Sequence, residues 1–404
     1  MSSAEKAPVS GQTPQLRFRG FDGDWIECKL AEAATINPKN TSLPETFHYI
    51  DLESVSNGIL TEPLLIATDS APSRAQRVLT DNDILFQMVR PYQKNNFFFS
   101  LGGTYVASTG YAQIRYPSAP KFLFQLLHTD HFVSQVLVRS TGTNYPAINS
   151  NDLGKISVSL PETLAEQQKI ALFLSAVDEK IAHFARKKKS LERYKKGCMQ
   201  KLFSGSIRFT RDDGTSFPDW KSKRLDAVLE LCQREVAKPT EPYLALGIRS
   251  HMKGTFQKPD FDPDSIAMEK LYEVHKNDLI VNITFAWEGA IAVARPEDHG
   301  GLVSHRFPTY RGKENELSID YAKQIIRLPK FKHSLDLISP GGAGRNRVLS
   351  KKEFLKLEWE FPTHAEQEKI AELLDAIDHK IDLAGEVLQL TQTFKKGLLQ
   401  RMFV

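Results

Sequence analysis

Ala165–Phe203 reads AEQQKIALFLSAVDEKIAHFARKKKSLERYKKGCMQKLF, and Ala365–Phe403 reads AEQEKIAELLDAIDHKIDLAGEVLQLTQTFKKGLLQRMF. The second stretch starts two hundred positions after the first, and 16 of 39 aligned positions are identical without a gap. The shared ends are AEQ-KIA and KKG--Q--F, and the middle shares Asp178, Lys180 and Ile181 with Asp378, Lys380 and Ile381. A self-similar segment at fixed spacing is the signature of a repeat architecture.

Apolar residues recur at Ile170, Leu174, Val177, Ile181, Phe184 and Leu191, and again at Ile370, Leu374, Ile377, Ile381, Ala384 and Leu388. Steps of three and four are the period of a helix with one apolar seam. No proline interrupts either run, and Pro161 and Pro362 precede them, where proline is tolerated. At 1.5 Å per residue each run makes a rod of about 57 Å. One exposed seam needs a partner, and the expected partner of each rod is the other. An antiparallel pair brings the end of the first beside the start of the second, so the chain between them need not span a rod length. The globular parts are then expected at opposite ends.

The repeat extends beyond the rods. Leu16–Leu30 (LRFRGFDGDWIECKL) and Ile207–Leu225 (IRFTRDDGTSFPDWKSKRL) each hold an arginine–aromatic start and an Asp-Trp pair before a short helical pattern. Short β-type runs follow at Phe47–Ile50, Asp83–Val89 and Phe97–Leu101, and at Asp278–Thr284 and Gly289–Ala294. Helical patterns cover Lys121–Leu137 and Ser318–Leu328. Each globular part closes with a Gly-rich polar loop, a turn, and an alternating strand (Ile156, Val158, Leu160; Leu357, Trp359, Phe361) leading into its rod. The fold class expected is α+β: two mixed α/β units separated by two long antiparallel coiled-coil helices, a tandem repeat with pseudo-two-fold symmetry.

The 404 residues suffice for two or three domains, and 41% hydrophobic with 25% charged content is that of an ordered globular chain. A net charge of +4 permits nucleic-acid binding without arguing for it. Cys28, Cys198 and Cys232 are odd in number and widely spaced, which suggests neither a disulfide framework nor a zinc site. Reduced thiols fit a cytoplasmic location. Residues 1–13 read as a flexible leader, and no apolar run reaches membrane-spanning length.

Catalytic motifs are missing. Asn144-Tyr145-Pro146 lacks the second proline of an amino-methyltransferase motif, and Gly341–Gly344 precedes a strand instead of a phosphate-binding helix. There is no GxxxxGK[ST], HExxH or GxSxG. Residues suited to DNA are better represented. Arg, Asn and Gln can pair bidentately with guanine and adenine edges. Arg90, Gln93, Lys94, Asn95 and Asn96 lie among aromatics. Arg139, Thr141, Thr143, Asn144 and Tyr145 lie on the first Gly-rich loop, Arg345, Asn346 and Arg347 on the second, and Arg249, His251 and Lys253 form a further cluster. Each alone is also compatible with a solvated loop. The basic run Arg186–Lys189 reads as a solvated helix face, and His183 and His379 as surface or seam positions.

With these features together, the chain resembles the specificity subunit of Type I restriction-modification systems over essentially its full length. The resemblance is carried by the two Glu-Gln-x-Lys-Ile to Asp-x-Lys-Ile segments (Glu166–Ile181, Glu366–Ile381), their Leu-Pro or Phe-Pro entrances, the KKGxxQ endings, and the order of variable and shared parts. It implies a first target recognition domain at 14–161, a central helical region at 162–204, a second target recognition domain at 205–361 and a C-terminal helical region at 362–404. It implies a non-catalytic subunit without a cofactor that reads an asymmetric bipartite sequence in double-stranded DNA. Two methyltransferase (modification) subunits would dock on the rods, with seam residues Ile170, Leu174, Val177, Ile181, Phe184, Leu191, Ile370, Leu374, Ile377, Ile381 and Leu388 as candidates. Restriction/translocase subunits would join through the complex. The rod middles, 182–193 and 382–393, share almost nothing, so the two docking sites are not expected to be equivalent. A coiled-coil protein–protein adaptor without DNA binding is the alternative from another class. An autonomous nuclease or methyltransferase would need a motif that the sequence lacks.

Overall fold

The computed structural model describes residues 13–40, 42–56, 58–61, 63–339, 341 and 347–404. The chain forms two compact units, one of residues 1–187 with 384–404 and one of 188–383. The rods are continuous helices, Leu164–Phe203 and His364–Met402. The start of each rod belongs to the unit that holds the end of the other. The pair is therefore antiparallel.

Each unit is closed by a two-stranded antiparallel ribbon between its opening and final strands. Trp25–Lys29 pairs with Ser157–Pro161 in the first, and Lys221–Arg224 with Glu358–Phe361 in the second. A four-stranded antiparallel sheet follows in both, with the same order. In the first unit it runs 35–36, 111–115, 84–87, 97–98; in the second, 229–231, 309–312, 279–281, 291–293. A second sheet, of four strands in one unit and five in the other, contains a parallel pair in each. The helical patterns resolve into pairs of short helices, Pro120–Leu126 with Asp130–Val138 and Ile319–Ile325 with Pro329–Leu337.

Each rod's seam meets the end of the other rod, and it is covered by its own unit's core as well. Ile170, Leu174 and Val177 are buried in the first unit's own core with Trp25, Leu30, Phe122 and Leu153, beside Leu398 and Met402. Ile370, Leu374 and Ile377 are buried likewise with Leu225, Tyr310, Phe354 and Leu202. Ile181 and Ile381 sit at the margins of these cores, and Phe184, Leu191 and Leu388 are half-buried. Each rod therefore begins as a core helix of a globular unit. Burying the seam there removes its apolar surface from water.

The repeated AEQ has a structural cause. Glu166 is 1% exposed and accepts both Arg17 Nε (2.7 Å) and Nη2 (2.8 Å). Glu366, fully buried, accepts Arg208 Nε (3.1 Å) and Nη2 (2.8 Å) in the same way. A bidentate Arg–carboxylate pair is among the strongest side-chain contacts, and it ties each arginine–aromatic segment to the first turn of a rod. Gln167 and Gln367 donate to the carbonyls of Pro161 and Pro362, where strand becomes helix. The shared aspartate and lysine also pair: Asp178 with Lys395 in the first unit and Asp378 with Lys195 in the second, both at 2.6 Å. Burial opposes the charge on Asp378, but Lys195 and Arg327 outweigh it and hold its carboxyl below the usual range.

Candidate nucleic-acid interface

A buried carboxylate at a tight turn frames the loops in both units. Asp83 accepts Arg115 Nε (2.8 Å), Gln113 Nε2 (2.7 Å) and the Thr80 amide (2.8 Å). Asp278 accepts Arg234 Nη1 (2.6 Å), Arg311 Nε (3.3 Å) and the His275 amide (2.8 Å). The residue before each, Asn82 or Asn277, has positive φ, a conformation asparagine tolerates better than most residues. Arg115 and Arg311 hold the same place beside the aspartate strand. These groups fix the hairpins whose tips carry the candidate residues. Sequence reading missed them, although Asn82-Asp83 and Asn277-Asp278 recur in matching context.

In the first unit the hairpin tip and the Gly-rich loop meet. The loop is pinched by reciprocal backbone bonds between Thr141 and Ala147, both 2.9 Å. Its Pro146 carbonyl accepts the Arg90 amide at 2.8 Å. Arg90 is in the left-handed region, with φ 54°, and its guanidinium lies 4.1 Å from the Tyr145 ring centroid. Tyr145 is 61% exposed, and Arg139, Thr141, Thr143 and Asn144 are exposed beside it in sequence. Arg139 Nη1 donates to the Gln135 carbonyl.

Four expected readers on the tip have partners within the unit. Asn96 is 1% exposed and its Oδ1 accepts the Gln87 amide, so its reading as a base contact is corrected to a brace of the hairpin. Lys94 Nζ is held by Asp130 Oδ1 (2.6 Å) and the His128 carbonyl (2.8 Å). Gln93 is exposed but its Oε1 accepts Gln87 Nε2. Asn95 is half-buried, with its amide donating to Gln87 Oε1. Behind them, burial pushes the His128 imidazole down to about 4 against its bond to Phe124, with Lys395 and Lys94 disfavouring its proton and Asp178 favouring it.

In the second unit the turn 249–254 docks on the hairpin tip. The His251 amide donates to Glu288 O and the Met252 amide to Gly289 O, both at 2.8 Å, and Ser250 Oγ donates to Glu288 Oε2. His251 and Lys253 are exposed. Arg249 lies over Phe256 at 5.3 Å and donates to the Thr255 carbonyl. Arg347 lies 5.1 Å from the Trp287 ring, but its donors go to Asp336 Oδ1 (2.8 Å), Asp336 O and Ser339 O. Its guanidinium thereby ties Trp287 to the end of a helix. Arg345 and Asn346 lie outside the described residues. His251, Trp287, Glu288, Lys332, His333 and Asp336 line part of a cleft of about 540 Å³.

On the rods, the exposed apolar residues are not the expected seam. In the first unit Leu172 is 74% exposed, and Leu390 and Phe394 are exposed beside a groove of about 480 Å³ that also takes in Phe173 and Val387. Among the described residues no helix is long and apolar enough to cross a membrane, and no group of three His, Cys, Asp or Glu residues could hold a metal ion.

A family model described as the Type I restriction modification DNA specificity domain matches residues 25–193. A curated protein of Methanocaldococcus jannaschii, "Putative type I restriction enzyme MjaX specificity subunit", is 24% identical over 302 residues, covering 69% of this chain and 66% of that protein. The S subunit of a Type I restriction-modification system from M. genitalium shares the fold at 15% identity, with a TM-score of 0.60 over 97% of this chain and 99% of that one. A chain from a structure of a type I R-M system, described for its assembly and conformational transition, gives 0.55 at 22% identity over 94% and 97%. With the duplicated rods and the repeated frame of each unit, these matches make the chain similar to the specificity subunits of Type I restriction-modification systems, by a specificity-domain match over residues 25–193 and by a shared fold over nearly the full length.

Proposed function

We propose that the chain is the non-catalytic DNA-reading subunit of a Type I restriction-modification complex, and that it recognises an asymmetric bipartite sequence in duplex DNA. Residues 14–161 would read one half-site and 205–361 the other, with the helical regions 162–204 and 362–404 as spacer. The observation that carries this reading is the contrast inside each unit. The same buried aspartate and the same sheet order hold a hairpin tip in both, yet the described side chains around those tips are placed differently, Arg90 of the tip beside Tyr145 in one and Trp287 of the tip beside Arg347 in the other. A shared frame with divergent loops suits one operation performed on two different sequences.

Methyltransferase subunits would dock on the exposed apolar rod residues, Leu172, Leu390 and Phe394 among them. The buried Ile170, Leu174, Ile370 and Leu374 are already spent in the cores. Restriction subunits would join through that complex. Co-expression with a modification subunit in a methylation-free host, followed by single-molecule sequencing for N6-methyladenine, tests the proposal. A bipartite asymmetric motif with a fixed gap is the expected result. A stable complex without sequence-specific methylation, together with no salt-dependent binding of duplex DNA by the chain, would instead favour a protein–protein adaptor.

A further inference from the structure

We propose that Arg90 is the base-reading arginine of the first unit and that it reads the guanine of a G·C pair in that unit's half-site. This rests on the DNA-reading function above and adds the residue and the base.

A guanidinium has five donors and no acceptor, and donors that are partly removed from water need partners. Arg90 is half-buried, yet no described residue accepts from its side chain. The other candidate cations of this unit are engaged: Lys94 with Asp130 and His128, and Arg139 with Gln135. Arg90 is also positioned in advance. Its backbone takes the left-handed conformation that costs a non-glycine residue energy. It is held there by its amide on Pro146 O and by the Gln93 amide on its own carbonyl. The guanidinium lies over the Tyr145 ring, 4.1 Å from its centroid, which restricts where its donors can go.

A phosphate contact needs positive charge, and a flexible lysine supplies it as well. A positioned fork of paired donors suits a base edge, and guanine O6 and N7 are the pair that arginine meets most often in the major groove. The second unit exchanges the parts. Its aromatic, Trp287, is on the hairpin and its arginine, Arg347, is beside the Gly-rich loop, with the guanidinium already bonded to Asp336 and Ser339. The guanine contact is therefore assigned to one half-site only.

The test uses the complex with its modification subunit and reads the methylation motif for wild type, Arg90→Ala, Arg90→Lys, Tyr145→Phe and Arg347→Ala. Arg90→Ala and Arg90→Lys are expected to lose about 5- to 100-fold of the preference at one G·C pair in one half-site, with the other half-site unchanged. Tyr145→Phe keeps the stack and the motif. Co-purification of each variant with the modification subunit verifies that it folds. A motif kept at every position with uniformly weaker methylation, or restored in full by lysine, makes Arg90 a phosphate contact and overturns the inference. Relaxation at an A·T pair, or in both half-sites, overturns it too. A wild-type complex that methylates no defined motif would refute the function on which the inference rests, and the inference with it.

Discussion

The two units share a frame and differ at their tips. Arg17–Glu166, Asp83–Arg115 and Asp178–Lys395 in the first unit correspond to Arg208–Glu366, Asp278–Arg311 and Lys195–Asp378 in the second. The tips keep the same two ingredients, an arginine and an aromatic ring, but on opposite loops: Arg90 with Tyr145, Trp287 with Arg347. The difference shows where substitution is cheap. A buried charge pair fails if one partner changes alone. An exposed loop held by backbone bonds tolerates almost any side chain.

The largest test of this comparison is to break the frame in one unit at a time. Glu166→Ala and Glu366→Ala each strand a partly buried arginine and are expected to cost about 3–5 kcal/mol. Hydrogen exchange should show the loss of protection confined to the unit that carries the change. Equal loss in both units would mean that the frames are not independent.

Acid should separate the units next. His128 and Arg327 occupy the same place, two residues after corresponding helices. The folded His128 ring takes its proton near pH 4 and the unfolded ring near 6.5, so the unfolded chain binds more protons between those values. The stability carried by the neutral ring is complete above about pH 6.5 and is lost as pH falls through 4. The loss is about 3 kcal/mol. The second unit has Arg327 there, paired with Asp378 at 3.0 Å, and no imidazole. Urea unfolding at pH 7 and pH 4.5, with and without His128→Gln, measures the difference. An acid loss that survives the substitution would assign it elsewhere.

A smaller effect should mark the second tip alone. Gly289 has φ 79°, and a Cβ there would lie 2.3 Å from Met252 Sδ. Gly289→Ala is expected to cost about 1–2 kcal/mol and to disturb the docking of the 249–254 turn. Thermal unfolding reads the first effect, and an altered second half-site the second. Smallest of all is Asp130→Ala. Its bridge to Lys94 is well exposed and is worth less than about 1 kcal/mol. Pro329 at the same helix start in the second unit carries no such bridge. A larger loss than this would show the Lys94 tether to be part of the frame.

Legibility followed the same division. Rods, Asp-Trp landmarks, most strands and both helical stretches could be read, because each leaves a local period or a repeated string. The AEQ identity was visible but its cause was not, since Arg17 and Glu166 are 149 positions apart. Of the expected readers, Arg90 and Tyr145 meet, whereas Lys94, Asn96 and Arg347 are bonded inward. Nothing in residue type distinguishes a free arginine from a committed one. The repeated Asn-Asp turn was a usable signal that stood outside the segments compared.

By itself, then, the sequence determined the duplication, the rod lengths, the mixed α/β class and the family resemblance. Each of these is encoded in periodicity or in recurrence along the chain. Only the tertiary structure decided that the rod seam begins inside each globular core, and which polar side chains remain unpaired. Burial and hydrogen-bond satisfaction depend on residues far apart in sequence, and competition among those partners is settled only when the chain has folded.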